Sequence, residues 1–308
     1  MKAIIALIVI ALFVACQTEV TTERSDQAKI PLQQIINDSY ELDFPKVPIK
    51  GVLVLFGGFS EYAQDIRHQF NIAEIAVKNA LAVVYLNYNQ KLWLEENQKK
   101  DLASQLNEIF RTNKLPSENI YLGGYSSGGN IALLLGNYLV GQNSKIKPKG
   151  IFVVDSPIDL LALYESSEKN IARNFSTPSV QESTMLMHIL GDKFGRLEEQ
   201  NPSIERYAVY TNATQNIDQL RNLKQTKLRL YTEPDTLWWK ENRMADPDQM
   251  NAFYLDRLVR VLKQSDFDQV EFITTKNKGY RANGMRHPHS WSIVDKEKLV
   301  HWILSKNT

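Results

Sequence analysis

The chain has 308 residues, with 36 Lys+Arg against 35 Asp+Glu and a net charge of +1. That balance excludes the basic excess expected of a nucleic-acid-binding protein. With 43% hydrophobic residues, the composition favours one large α/β domain, or a domain carrying a subdomain, over several small ones.

The N-terminus stands apart. "MKAIIALIVIALFVAC" sets one lysine ahead of an unbroken apolar run over 3–15. That run is too short to span a bilayer comfortably and suits the apolar region of a secretory signal. The only cysteine, Cys16, follows at once, and "QTEVTTERSDQAK" turns polar. The segment resembles a bacterial lipoprotein signal, although Phe13 stands where leucine is usual. The resemblance implies a signal peptide over 1–15, lipidation of Cys16, a polar tether over 16–29 and a folded domain over 30–308. It further implies an exported, envelope-located protein held to a membrane by the lipid at Cys16. With Cys16 acylated no other thiol remains, which excludes disulfides and cysteine catalysis.

Beyond the tether, "IPLQQIINDSYELDF" predicts an early helix and a strand. "GVLVLF" (51–56), ending in two glycines, reads as a buried strand. Ile66, Phe70, Ala73 and Val77 then recur at helical spacing. "LAVVYLNY" (81–88) predicts a second buried strand, and a helix from about Lys99 carries Leu102, Leu106, Ile109 and Phe110 as its stripe. "IYLGG" (120–124) is a strand and "NIALLLGNYL" a buried helix. "GIFVVD" and "TKLRLYT" are further strands, followed by a helix in "PDQMNAFYLDRLVRVLK", a strand in "QVEFITT" and a closing helix in "DKEKLVHWIL". Strands alternating with helices imply a mostly parallel sheet covered on both faces. The segment over about 157–225 contains no strand pattern and is expected to form a helical lid.

Between the 120–124 strand and the buried helix lies "GYSSG", in which Gly124, Ser126 and Gly128 form G-x-S-x-G. The pattern gains weight from its place at a strand-to-helix turn, where a strained bend lifts a serine hydroxyl clear of the sheet. In this setting the chain, over about residues 50–304, resembles the α/β-hydrolase superfamily. The resemblance implies Ser126 as nucleophile, with the Ser127 N–H as one oxyanion donor. It implies a second donor, Gly58 or Phe59, from "LFGGFSE", where Phe56 replaces a histidine common in esterases. The acid should follow a later strand: Asp235 in "LYTEPDTLWW" fits best, Glu233 is the alternative, and Asp155 at the end of "FVVD" is a lesser candidate. The base should lie near the C-terminus, where His289-Ser290-Trp291 looks like the family pattern and His287 is the alternative. Serine, acid, histidine is the order this fold imposes.

His68, His188 and His301 fall on predicted helices without metal-ligand spacing, so neither a metal nor another cofactor is expected. The resemblance thus implies an esterase acting on a small-molecule or acylated substrate through an acyl-enzyme. A serine peptidase of the prolyl-oligopeptidase type, acyl transfer, and a non-catalytic binding module stay open as alternatives. Trp238, Trp239, Trp291 and Tyr125 lie beside the candidate site residues and suit an apolar acyl chain, an aryl ester or a sugar face, or else pack the loops.

Overall fold

The computed structural model describes residues 31–195 and 201–305; the expected signal peptide, Cys16 and the expected tether lie outside them. The segment expected to open with a helix forms a hairpin of two strands, β1 (Leu32–Ile36) and β2 (Tyr40–Pro45). The Asn37 side-chain oxygen accepts from the backbone N–H groups of Ser39 and Tyr40 and closes the turn. Pairing of β2 with the sheet settles the choice that local pattern left to a helix.

Beyond the hairpin come β3 (Gly51–Phe56), α1 (Ala63–Phe70), α2 (Ala73–Lys78), β4 (Leu81–Leu86), α3 (Glu96–Thr112), β5 (Ile120–Tyr125), α4 (Ser127–Gly141) and β6 (Pro148–Val154). The apolar spacing over 66–77 is divided between α1 and α2, because Asn71 takes a positive φ of 29° and closes α1. The insertion after β6 holds α5 (Leu160–Arg173), α6 (Thr177–Phe194), α7 (Asn201–Glu205) and a 3-10 turn over Asp218–Leu223. The chain ends with β7 (Lys227–Thr232), α8 (Thr236–Arg243), α9 (Asn251–Gln264), β8 (Val270–Thr274) and α10 (Lys296–Leu304).

The eight strands lie in the order β1-β2-β4-β3-β5-β6-β7-β8. β1, β2 and β4 pair antiparallel; β4, β3 and β5 to β8 pair parallel. Period-two alternation divides the apolar strands between two cores. Val52, Val54, Phe56, Leu122, Ile151 and Val153 pack with residues of α3, α4 and α9. Leu53, Leu55, Val83, Tyr121, Phe152 and Val154 pack on the other face with residues of α1, α2 and α10. A smaller cluster joins α5 and α6 through Leu160, Tyr164, Leu186, Leu190 and Phe194. Asp159 caps α5 by accepting from the N–H groups of Leu161 and Ala162, and its other oxygen accepts from Asn212 N–H at 2.7 Å.

Candidate active site

The C-terminal ends of β5 and β6 meet where Ser126 turns the chain from β5 into α4. Ser126 has φ 53° and ψ −130°, in the left-handed half of backbone space that a serine avoids. Its N–H donates to Val154 O at 2.9 Å, and its carbonyl accepts from Gly129 N–H at 3.0 Å, so both sides of the bend hold the strained residue. The flanking glycines are required sterically. A Cβ at Gly124 would lie 2.0 Å from the Gly128 carbonyl oxygen, and one at Gly128 would lie 2.3 Å from that of Gly57.

His289 comes from the loop between β8 and α10, and its Nδ1 lies 2.7 Å from Asp155 Oδ2. Asp155 follows β6 with φ 47°, is 7% exposed in its side chain, and accepts at Oδ1 from the Thr232 hydroxyl at 2.6 Å. The acid facing His289 is therefore Asp155, and the expectation of Asp235 or Glu233 there is corrected. Asp235 caps α8 by accepting from Trp238 N–H at 3.0 Å, and its other oxygen takes Arg286 at 2.6 Å. Glu233 is 2% exposed and accepts from Thr275 Oγ1 and the N–H groups of Lys278 and Gly279. Both carboxylates share Arg286 and tie down the loop that carries the histidines. The physical reason is engagement: Asp235 and Glu233 are taken by Arg286, the start of α8 and the 275–279 loop. Asp155, at the end of β6 beside β5, meets His289 instead.

His287 lines the same cavity as His289 but packs against Trp238 and Trp239, with ring centroids 4.7 Å and 5.8 Å away. Burial, reinforced by the charges of His289, Arg281 and Arg243, pushes its imidazole down to about 3 from an ordinary 6.5. The unfolded chain takes up a proton near pH 6.5 that the fold refuses, so stability is fully present above that pH and lost as pH falls toward 3. In that window His287→Gln should remove about 1.4 kcal/mol of stability loss per pH unit, read from urea unfolding at pH 7 and pH 4. An unchanged slope would place the acid sensitivity elsewhere.

The turn after β3 holds the candidate oxyanion donors. Gly58 N–H donates to Glu61 Oε2 at 2.9 Å, and the same oxygen accepts from Trp291 Nε1 at 3.1 Å. Gly58 is thus occupied as a donor, which corrects that expectation. Phe59 borders the cavity beside Ser126, and Ser127 begins α4, where helical N–H groups lack partners within the helix. Burial raises the Glu61 carboxyl, with the bonds from Gly58 and Trp291 opposing the rise. No motif pointed to Glu61; only its distance from Gly58 and Trp291 reveals it. Trp291 is 1% exposed and stacks on Phe70 at 4.6 Å, so it is a core residue. Tyr125 is also buried; its ring lies 4.6 Å from that of His289 and its hydroxyl donates to His289 O at 3.0 Å.

Ser126, Ser127, Phe59, His287 and His289 face one cavity of about 300 Å³, walled on the far side by α5 and α6. Among the described residues no hydrogen bond joins Ser126 Oγ to His289; such bonds often tighten only when a reactant binds. A larger open groove of about 840 Å³ lies at the opposite strand ends, beside Lys50, Asn119 and Lys149, and no histidine lines it. Among the described residues no three His, Cys, Asp or Glu side chains are grouped to hold a metal ion.

No family model matches the chain, and no curated protein does. Solved structures do. A carboxyl esterase from the fungus Tuber melanosporum aligns over 91% of this chain and 88% of its own, with TM-score 0.54 and 11% identity. A substrate-bound, fluorophosphonate-binding serine hydrolase of Staphylococcus aureus aligns over 90% and 98%, with TM-score 0.53 and 11% identity. The chain has the α/β-hydrolase fold. An S-formylglutathione hydrolase of the same bacterium matches that fold over 89% of this chain and all of its own, with TM-score 0.51 and 11% identity. Within the α/β-hydrolase fold, Ser126 occupies the strand-to-helix bend, and His289 and Asp155 approach it from two loops at the same strand ends.

Proposed function

We propose that the protein is a serine hydrolase that cleaves a carboxylic ester through an acyl-enzyme, with Ser126, His289 and Asp155 as its triad. The observation carrying this reading is the contact of His289 Nδ1 with Asp155 in the cavity that Ser126 enters from a positive-φ bend. A carboxylate on Nδ1 favours the tautomer whose Nε2 is free to accept a proton. Ser126 Oγ attacks the ester carbonyl as His289 Nε2 takes its proton, and the N–H groups of Ser127 and Phe59 stabilise the oxyanion. The acyl–oxygen bond to the alcohol breaks, and the alcohol leaves with the proton from His289. Water, deprotonated by His289, then attacks the acyl-serine and releases the acid and the free hydroxyl. Supporting the ester over other acyl groups are the esterases and serine hydrolases among the proteins of similar fold. The signal peptide read in residues 1–15, with lipidation at Cys16, supports an extracytoplasmic substrate in this proposal.

A fluorophosphonate probe tests it. The folded protein should be labelled at Ser126, Ser126→Ala should take no label, and His289→Ala should be labelled far more slowly. A folded chain that never takes the label is a binding module on a hydrolase scaffold.

A further inference from the structure

Two arginines in the wall of the Ser126 cavity have no part in the hydrolytic chemistry. Arg281 belongs to the loop carrying His289, and its guanidinium carbon lies 5.7 Å from the Tyr125 ring centroid, the same ring that packs 4.6 Å from His289. Arg243 ends α8, 6.0 Å from the Trp238 ring, and donates to Ser176 Oγ at 2.7 Å. Both are half-buried, and among the described residues neither lies within 4.0 Å of a carboxylate oxygen. Other half-buried arginines nearby are paired: Arg173 with Asp246, and Arg286 with Glu233 and Asp235. The carboxylates nearest the cavity are engaged elsewhere or stand at its edge. Asp155 holds His289, Glu61 holds Gly58 and Trp291 and meets the Arg281 charge only from beyond 4.0 Å, and Glu182 is exposed. Arg281, Arg243 and His287 all line this one cavity, and the charges of both guanidiniums act on the His287 ring.

A guanidinium offers five donors in a planar fork suited to a carboxylate, and leaving it half-desolvated and unpaired is costly. An aliphatic ester would leave both guanidiniums, which otherwise meet only Ser176 Oγ and the Tyr125 side chain, without an anionic partner, whereas an ester with its own negative charge would supply one. We propose that the ester cleaved at this site carries an anionic group, a carboxylate or its equivalent, bound by Arg243 and Arg281. The proposal rests on Ser126, His289 and Asp155 being the hydrolytic centre. It names the chemical class that the cavity selects. Ser166, Ser179 and Asn170 add polar groups to an opposite wall that also carries Leu163 and Leu186.

The test uses two matched pairs of esters on the full chain. 4-Nitrophenyl hemiglutarate against 4-nitrophenyl valerate varies the charge on the acyl side; 4-acetoxybenzoate against 4-acetoxybenzamide varies it on the alcohol side. In at least one pair the anionic member should have the higher kcat/KM by about tenfold or more, the scale of a charge-assisted bidentate contact. Arg281→Gln and Arg243→Gln should each erase most of that preference through KM, and Arg281→Lys should restore part of it. Thermal melts of each variant show that the fold persists. Neutral esters cleaved as well as charged ones in both pairs, with ratios that neither substitution changes, would overturn the proposal and leave the hydrolase reading intact. No turnover of any of the four esters, together with no fluorophosphonate label, would remove the hydrolase reading and this proposal with it.

Discussion

Asp155→Asn is expected to lower kcat about 10⁴-fold, the scale seen when a triad carboxylate is replaced by its amide. The reason is tautomeric. Asp155 Oδ2 lies 2.7 Å from His289 Nδ1, so the carboxylate requires a proton there and leaves Nε2 as the base. An amide can donate to Nδ1 instead, which moves the ring proton to Nε2 and, in the proposed mechanism, removes the group that takes the Ser126 proton. The Thr232 hydroxyl, 2.6 Å from Asp155 Oδ1, holds the side chain in place and fixes which atom meets the ring. Asp235→Asn should leave kcat within a few-fold, because Asp235 caps α8 and takes Arg286, which Glu233 holds as well. Steady-state hydrolysis of a 4-nitrophenyl ester by both variants decides between the carboxylates. A large loss from Asp235→Asn with a small one from Asp155→Asn would transfer the acid role back to the loop after β7.

Gly128→Ala is expected to cost at least about 3 kcal/mol of stability, at the upper end of the overpacking range. The added methyl would lie 2.3 Å from the Gly57 carbonyl oxygen and 2.4 Å from that of Phe56, and neither is a flexible side chain that could turn aside. Relief requires α4 to move away from the end of β3, which separates Ser127 N–H from Phe59 N–H and moves Ser126 out of its bend. The melting temperature should fall by roughly 6–12 °C for a domain of this size, and esterase activity should fall with it in the fraction still folded. A variant that melts and turns over like the parent would show that the elbow tolerates a wider separation than its contacts allow. Gly191, in α6, is a fitting control, since a Cβ there meets nothing within 4 Å.

The sheet was readable because buried strands are short, apolar and punctuated. "GVLVLF", "LAVVYL" and "IFVV" lie on β3, β4 and β6 nearly as their patterns predict. The first hairpin was not. "LQQII" and "YELDF" have a mixed polarity that suits a helix face as well as an edge strand, and their pairing partners lie on each other and on β4. α3 begins at Glu96, ahead of the expected Lys99, because Glu95 and Gln98 form a capping box, a polar signal outside the apolar stripe.

By itself the sequence determined the alternation of strands and helices, the glycine-flanked bend at Ser126 and the C-terminal histidine pair, since each depends on residues adjacent in the chain. Tertiary structure alone decided which carboxylate meets His289, that Gly58 N–H is taken by Glu61, and which arginines face the cavity. Those outcomes depend on strand order and on the path of loops closed over long separations. Asp155 and Asp235 both follow parallel strands, but only β6 lies against β5, and no local pattern encodes that neighbour.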